Sequence, residues 1–505
     1  MNSHSVKVSR TVICLKSVEN KTFAMNTTIL LITFILYTLL LFGIAWLTSR
    51  NSDSKTYYTG NRSSNWFLVA FGMIGSSMSG VSFMSLPGNV INENFYYMPM
   101  VFGMFFGYAI IAGLLLPLYF KLNLTSIYTY LEKRFGSCSY KTGASFFIIS
   151  RLLGATVRTF LVIFVLYNFV LQPLGVPFVV AAIIFVGLAI LYTMKGGVKT
   201  IIYTDTIQTT FMIIAIVVSV GVICNQLDWS LGDMLKNVHE SHFSDMFNTD
   251  TASPTNWVKR FLSGVLIPIA MTGLDQAMMQ KSLSCKNIKE AQKNVMTSIL
   301  MMIPINLLFV TLGAVLAIFM QSHPELIQEV TTAAGKLEAD KIFPTVALSL
   351  GPVVGVIFFV GLISAAYPTC ANALTSLTTS TCIDLVGIEK HDWSDEKKKR
   401  VRMNVTYVMA VLFVLLIVAF NILKNDAVIN MVYQIASYTY GPLLGLFMLG
   451  ILTKTQIKDK AVPYVCIAAP VICYVIENYV FSFGFSLIAV CAGLTFFGLI
   501  LFRKK

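Results

Sequence analysis

Four features of this chain put chemistry-bearing residues where apolar ones are expected. The run Gly75-Ser76-Ser77-Met78-Ser79-Gly80 interrupts an apolar segment near 65–87, and Ser82 and Ser85 follow it. A second apolar segment, near 257–280, is broken by Pro268, Thr272, Gly273 and Asp275, with Gln276 next to them. Arg158 lies deep in an apolar stretch near 144–172, and Asp205 opens another near 203–224. Backbone freed by a helix break, side-chain hydroxyls, one guanidinium and one carboxylate suit the binding of ions and polar solutes. They do not make a nucleophile–base pair. All five histidines (His4, His239, His242, His323, His391) fall in loops or tails, and none of the nine cysteines forms a CxxC pair. No enzyme and no cofactor is expected.

The segments that hold these residues are membrane segments. Of the 505 residues, 56% are hydrophobic and 12% charged, against about 25% charged in soluble domains. Mean hydropathy is +0.73. A bilayer core needs roughly 20 apolar residues per helix, and about 13 such segments are predicted near 28–48, 65–87, 97–120, 144–172, 176–194, 203–224, 257–280, 294–320, 347–380, 403–422, 427–450, 462–482 and 484–502. The expected fold class is all-α integral membrane. A single membrane domain spans 28–502, flanked by an N-terminal tail, 1–27, and a short cytoplasmic C-terminus, 503–505. The tail carries Lys7, Arg10, Lys16 and Lys21 and no apolar core, and translation is expected to start at Met25.

Net charge is +13, but nucleic acid is not the implied partner. The basic residues sit in alternate loops, among them Arg50, Lys55 and Arg62; Lys121, Lys133, Arg134 and Lys141; Lys195 and Lys199; Lys281, Lys286, Lys289 and Lys293; and Lys390–Arg402. The long loop 225–256 is acidic. The positive-inside rule then puts the N-terminus outside and the C-terminus in the cytoplasm of a cell (inner or plasma) membrane.

The two broken segments lie five apart, an odd number, so the units they open cross the bilayer in opposite directions. Paired breaks of this kind point to a midplane binding site between inverted repeats. Unwound backbone cannot face lipid and must line a cavity or bind something; the alternative is that the Gly/Ser cluster serves a close helix contact. Ser76 and Ser85 are able to bond back to their own helix. An Arg at the depth of Arg158 costs roughly 2.5–3.5 kcal/mol on insertion scales. An anionic ligand or an internal partner such as Asp275 would offset that. Arg151, two turns earlier, is placed near the cytoplasmic end, where it can snorkel. A carboxylate at membrane depth, as at Asp205, is functional by default, with an interfacial position as the alternative.

Four motifs in order resemble the sodium/solute symporter family, nearest to its sialic-acid members. They are GSSMSGVSFMS at 75–85, GGVKTIIYTDTIQ at 196–208, GLDQAMMQKSLSCKN at 273–287 and ALTSLTTSTCIDL at 373–385. The resemblance implies a LeuT-type fold of inverted five-helix repeats, here about 65–224 and 257–450. It implies sodium as the coupling ion, a small-molecule solute and a monomer in the lipid bilayer. Carried over residue by residue, sodium would meet the carbonyls of Gly75, Met78 and Ala365 and the hydroxyl of Thr369, with Asp205 guiding it. Pro368 stands where the family has a serine. Because Pro368 has no N–H, the carbonyl of Ser364 is freed and is able to replace that oxygen; the alternative is that Pro368 is only a kink of the kind membrane helices tolerate. A second ion would also use positions 371 and 372, and Ala371 offers no oxygen. Ser77, Ser79, Ser82, Arg158, Asp275 and Gln276 match substrate-lining positions, with Arg158 as a carboxylate binder. The expected function is sodium-coupled symport of a small organic solute, foremost a carboxylated sugar such as sialic acid. A neutral sugar, polyol or amino acid, or a receptor that has lost transport, is the alternative.

Overall fold

The computed structural model describes residues 27–49, 63–194, 197–332, 335, 337–422, 428–480 and 483–504. The expected start at Met25, and the loop cations Arg50, Lys55, Arg62 and Lys195, lie outside the described residues.

The chain opens with α1 (Thr27–Ser49), then α2 (Trp66–Ser77) and α3 (Gly80–Glu93). Next come α4 (Met98–Ile110, continued through Ile111–Leu115 into Leu116–Lys121), α5 (Ser137–Leu166), α6 (Phe178–Thr193) and α7 (Gly197–Gln226). A loop helix, α8 (Leu231–Glu240), precedes α9 (Trp257–Pro268), α10 (Gln276–Leu283), α11 (Ile288–Gln321) and the short α12 (Ala339–Ser349). The remainder is α13 (Pro352–Ser380), α14 (Asp395–Ile422), α15 (Val428–Leu452), α16 (Val462–Tyr479) and α17 (Leu487–Leu501).

Among the described residues, nine helices are long and apolar enough to cross a membrane, or eleven if each bent pair is one span. The count of thirteen is reached only with two shorter apolar helices, α6 and α17. Large apolar side chains on the periphery, such as Leu36, Leu47 and Leu415, are more than half exposed. An aqueous surface would not hold so many; lipid does.

The two predicted interruptions are the two bends. α2 and α3 meet at 60°, and the α9 segment meets α10 at 70°. The first break is narrower than the Gly/Ser run: only Met78 (ψ 108°) and Ser79 (ψ 177°) leave helical geometry. The second falls at Leu274–Asp275, after a π-helical turn over Ile269–Gly273. Both bent pairs sit inside the bundle. α2 packs on α7, α11 and α13, and α10 packs on α2 and α13.

α5 begins seven residues before the expected apolar segment. Its polar first turn, Ser137-Cys138-Ser139, is capped by a distant side chain: Asp459 accepts from Cys138 N at 2.8 Å and from Ser139 N at 2.7 Å. A helix N-terminus leaves its first N–H groups unsatisfied, and here a carboxylate from the α15–α16 connection supplies the acceptors. Loop 225–256 is also more ordered than its composition suggests. Ser230 and Asp233 form a capping box for α8, and Phe95 N donates to Asp245 O at 3.0 Å.

Candidate functional site

The glycines at the first break allow close approach. A Cβ on Gly75 would lie 2.2 Å from Thr209 Oγ1 on α7, and one on Gly80 would lie 2.0 Å from Val162 Cγ2 on α5. Both readings of the Gly/Ser run therefore hold: glycines pack, serines face a cavity. No hydrogen bond from another element reaches the carbonyls of Gly75 or Met78 among the described residues. The second break differs. The Tyr119 hydroxyl donates to Gly273 O at 2.9 Å and the Tyr128 hydroxyl to Leu274 O at 2.8 Å, so its freed carbonyls are satisfied within the protein.

A cavity of about 1130 Å³ of non-atom space, counting its open mouth, lies against the first break. Ser77, Ser79, Ser82 and Arg158 all line it, together with Arg151, Ser150, Tyr108 and Tyr440. Asp275 and Gln276 are not among the lining residues. Gln276 is turned toward the loop after α4: its Oε1 accepts from Ile127 N at 3.0 Å and its Nε2 donates to Thr125 O at 2.9 Å.

Asp275 stands behind the lining and holds it. Its Oδ2 accepts from the Tyr440 hydroxyl at 2.6 Å and lies 3.5 Å from Arg151 Nη1; its Oδ1 caps α10 through Met278 N at 3.2 Å. Arg151 is therefore no snorkelling residue. Because α5 starts at Ser137, Arg151 falls mid-helix and is buried. The seven residues from Arg151 to Arg158 are two turns, about 10 Å along one face.

Of the residues expected at sodium, Ala365, Pro368 and Thr369 are buried on α13. Thr369 Oγ1 donates to Ala365 O at 3.2 Å on α13, leaving the lone pairs of that hydroxyl for another partner. Pro368 lies within α13 without ending it. Ser364 directs its hydroxyl to Tyr37 of α1 at 2.7 Å. Ser76 bonds back to Gly72 O at 3.0 Å, as foreseen, but Ser85 instead reaches Asp340 of α12.

One residue overturns its expected place. Lys281, assigned to a cytoplasmic loop, is 2% exposed. Its Nζ lies 2.5 Å from Asp205 Oδ2 and is hydrogen-bonded to Ser76 Oγ. Asp205 Oδ2, 2.8 Å from Ser76 Oγ, competes with Gly72 O for the single hydroxyl proton, and Asn372 Nδ2 donates to Ser76 Oγ and Asp205 Oδ2 at 3.1 and 3.0 Å. Asp205 is thus fully buried and paired, not interfacial.

The sequence model of the sodium:solute symporter family matches residues 57–461. The chain belongs to this family. It is 24% identical over 431 residues to the sodium/sialic acid symporter of Aliivibrio fischeri, covering 83% of this chain and 81% of that one. It is also 24% identical over 439 residues to the sodium/sialic acid symporter of Proteus mirabilis, covering 84% of each. Among solved structures, a substrate-bound, outward-open sodium-coupled sialic acid symporter superposes with a TM-score of 0.80 at 20% identity, over 94% of this chain and 99% of that one. The fold is therefore the LeuT-type fold expected, in a multi-pass membrane protein that couples a solute to sodium.

In this symporter the sequence hid Lys281, Arg151 and Tyr440. Lys281 ends an apolar run, and its carboxylate partner is 76 residues away. The depth of Arg151 depended on where α5 starts. Tyr440 looks like any tyrosine in an apolar helix, and only its bond to Asp275 distinguishes it. The signal available for Lys281 was the motif at 273–287 itself, which continues the second broken segment through position 281 rather than ending before it.

Proposed function

We propose that this symporter imports a small carboxylate-bearing solute, a sugar acid of the sialic-acid type, together with sodium. The carrying observation is that one cavity is lined by two arginines, Arg151 and Arg158, and by no Asp or Glu among the described residues. Guanidinium groups match carboxylates bidentately, and Ser77, Ser79 and Ser82 offer partners for sugar hydroxyls. Arg158 takes the solute's carboxylate. Asp275 and Tyr440 fix the approach of Arg151. Sodium binds to the carbonyls of Gly75, Met78 and Ala365 and the Thr369 hydroxyl, with the Ser364 carbonyl released by Pro368.

The direction of transport rests on charge. The cavity runs from the break past Ser82 to Tyr97, at the end of the bundle tied to the acidic loop through Phe95 and Asp245. The positive-inside rule makes that end extracellular, with the C-terminus cytoplasmic. A thermal-shift series on the purified protein tests the substrate class. N-acetylneuraminate stabilises it in sodium and not in potassium, while neutral sugars and polyols do not. Equal stabilisation by a neutral hexose removes the assignment.

A further inference from the structure

Asp205, Ser76 and Asn372 form an oxygen-bearing cage, and the cage already holds a cation that belongs to the protein. Its members come from four helices: Ser76 from α2, Asp205 from α7, Lys281 from α10 and Asn372 from α13. The Lys281 ammonium sits among them, 2.5 Å from Asp205 Oδ2 and bonded to Ser76 Oγ. The place is next to the proposed sodium ligands on both sides. Ser76 follows Gly75, and Asn372 lies one turn beyond Thr369.

We propose that the Lys281 ammonium is a tethered cation occupying the position of a second sodium, so that this symporter binds one sodium per cycle. This rests on the sodium-site reading given above. The donor set, a carboxylate, a hydroxyl and an amide, suits a hard monovalent cation. A half-turn of the Asn372 amide exchanges its nitrogen and oxygen and adds another donor. Asp205 Oδ1 takes no hydrogen bond among the described residues, so the carboxylate retains capacity for an ion. A cation attached through four methylenes reaches this cage at a high effective concentration and with little translational entropy to lose. A free sodium would have to displace it from a buried site in which the two charges repel strongly. The neighbouring Ala371, which adds no oxygen, fits a position that need not complete an ion shell.

Equilibrium binding of radioactive sodium to the purified full-length protein tests this without any solute. Wild type saturates at about one sodium per chain. Lys281→Gln, which keeps length and polarity but removes the charge, exposes Asp205 and saturates at about two. Lys281→Arg keeps the cation and stays at about one, and the double variant Lys281→Gln/Asp205→Asn, neutral throughout, returns to about one. A wild-type count near two overturns the proposal outright, even if no variant folds. So does a folded Lys281→Gln that remains at one. Those outcomes leave the sodium site at Gly75, Met78, Ala365 and Thr369 standing; a wild type that binds no sodium removes that site, and the proposal with it.

Discussion

The Arg151 guanidinium stands 3.5 Å from the Asp275 carboxylate, joining the middle of α5 to the start of α10. The contact crosses between the two halves of the molecule, since α5 follows the first bend and α10 is the far arm of the second. It also holds in place a charge that would otherwise be free to swing across the cavity.

Asp275→Asn is expected to loosen this corner. It keeps the cap on α10 but turns a charge-assisted bond from Tyr440 and an ion pair with Arg151 into neutral contacts. A loss of about 2 kcal/mol follows, read as a lower melting temperature in detergent. Tyr440→Phe should lose less, and the double variant little more than Asp275→Asn alone. Additive losses would show that Tyr440 acts elsewhere.

Arg158→Ala should weaken binding of an acidic ligand by about 10- to 100-fold, the equivalent of one charged hydrogen-bonded contact. Arg158→Lys should recover part of this, because an ammonium supplies the charge without the planar fork. Isothermal titration with N-acetylneuraminate measures both. Unchanged affinity in the alanine variant would move the carboxylate to Arg151.

Gly75→Ala drives a methyl group into Thr209 Oγ1. Overpacking of this kind costs about 1–3 kcal/mol, and the displaced first break should also lose sodium-dependent stabilisation. Thr209→Ala removes the colliding oxygen, so the pair Gly75→Ala/Thr209→Ala should regain most of the melting temperature. Failure of that rescue would mean that the glycine is needed for its backbone, not for its lack of a side chain.

Tyr128→Phe leaves the Leu274 carbonyl without its donor inside the bundle. An unsatisfied buried group costs about 1–3 kcal/mol, and the loss should appear as faster hydrogen exchange across the second break with the rest of the molecule unchanged.

Thr369→Val removes one proposed sodium oxygen at nearly constant volume. Half-maximal sodium stabilisation should shift to higher concentration, whereas Pro368→Ser should leave it within a few-fold, since serine supplies a hydroxyl where the free Ser364 carbonyl had served. A wild-type sodium response in Thr369→Val would exclude that hydroxyl.

Much of this architecture is legible in the sequence because lipid imposes simple rules. Helices must be long and apolar, breakers in them must have a reason, and the breakers at Gly75–Gly80 and Pro268–Asp275 do coincide with the two bends. Pairings across the fold were not legible. Lys281 reads as a loop cation because nothing local reveals a carboxylate on α7 facing it. Residues 137–143 read as loop because they are polar, and their helical state depends on an acceptor more than 300 positions away. Gln276 and Asp275 are neighbours on a motif that points to a binding site, yet one anchors a loop and the other an arginine. Periodicity reports which face of a helix is apolar, not which partner its polar residues find.

The Asp459 cap on α5 has a consequence at the other end of that helix. An α-helix turns by about 100° per residue, so whatever fixes its first residue fixes the compass bearing of every side chain beyond. Arg158 lies nineteen positions past Ser139, roughly 28 Å along the axis. If Asp459 gripped the chain one residue later, both arginines would swing away from the cavity toward neighbouring helices. A carboxylate in a surface connection thus helps set the register of the helix that carries both arginines.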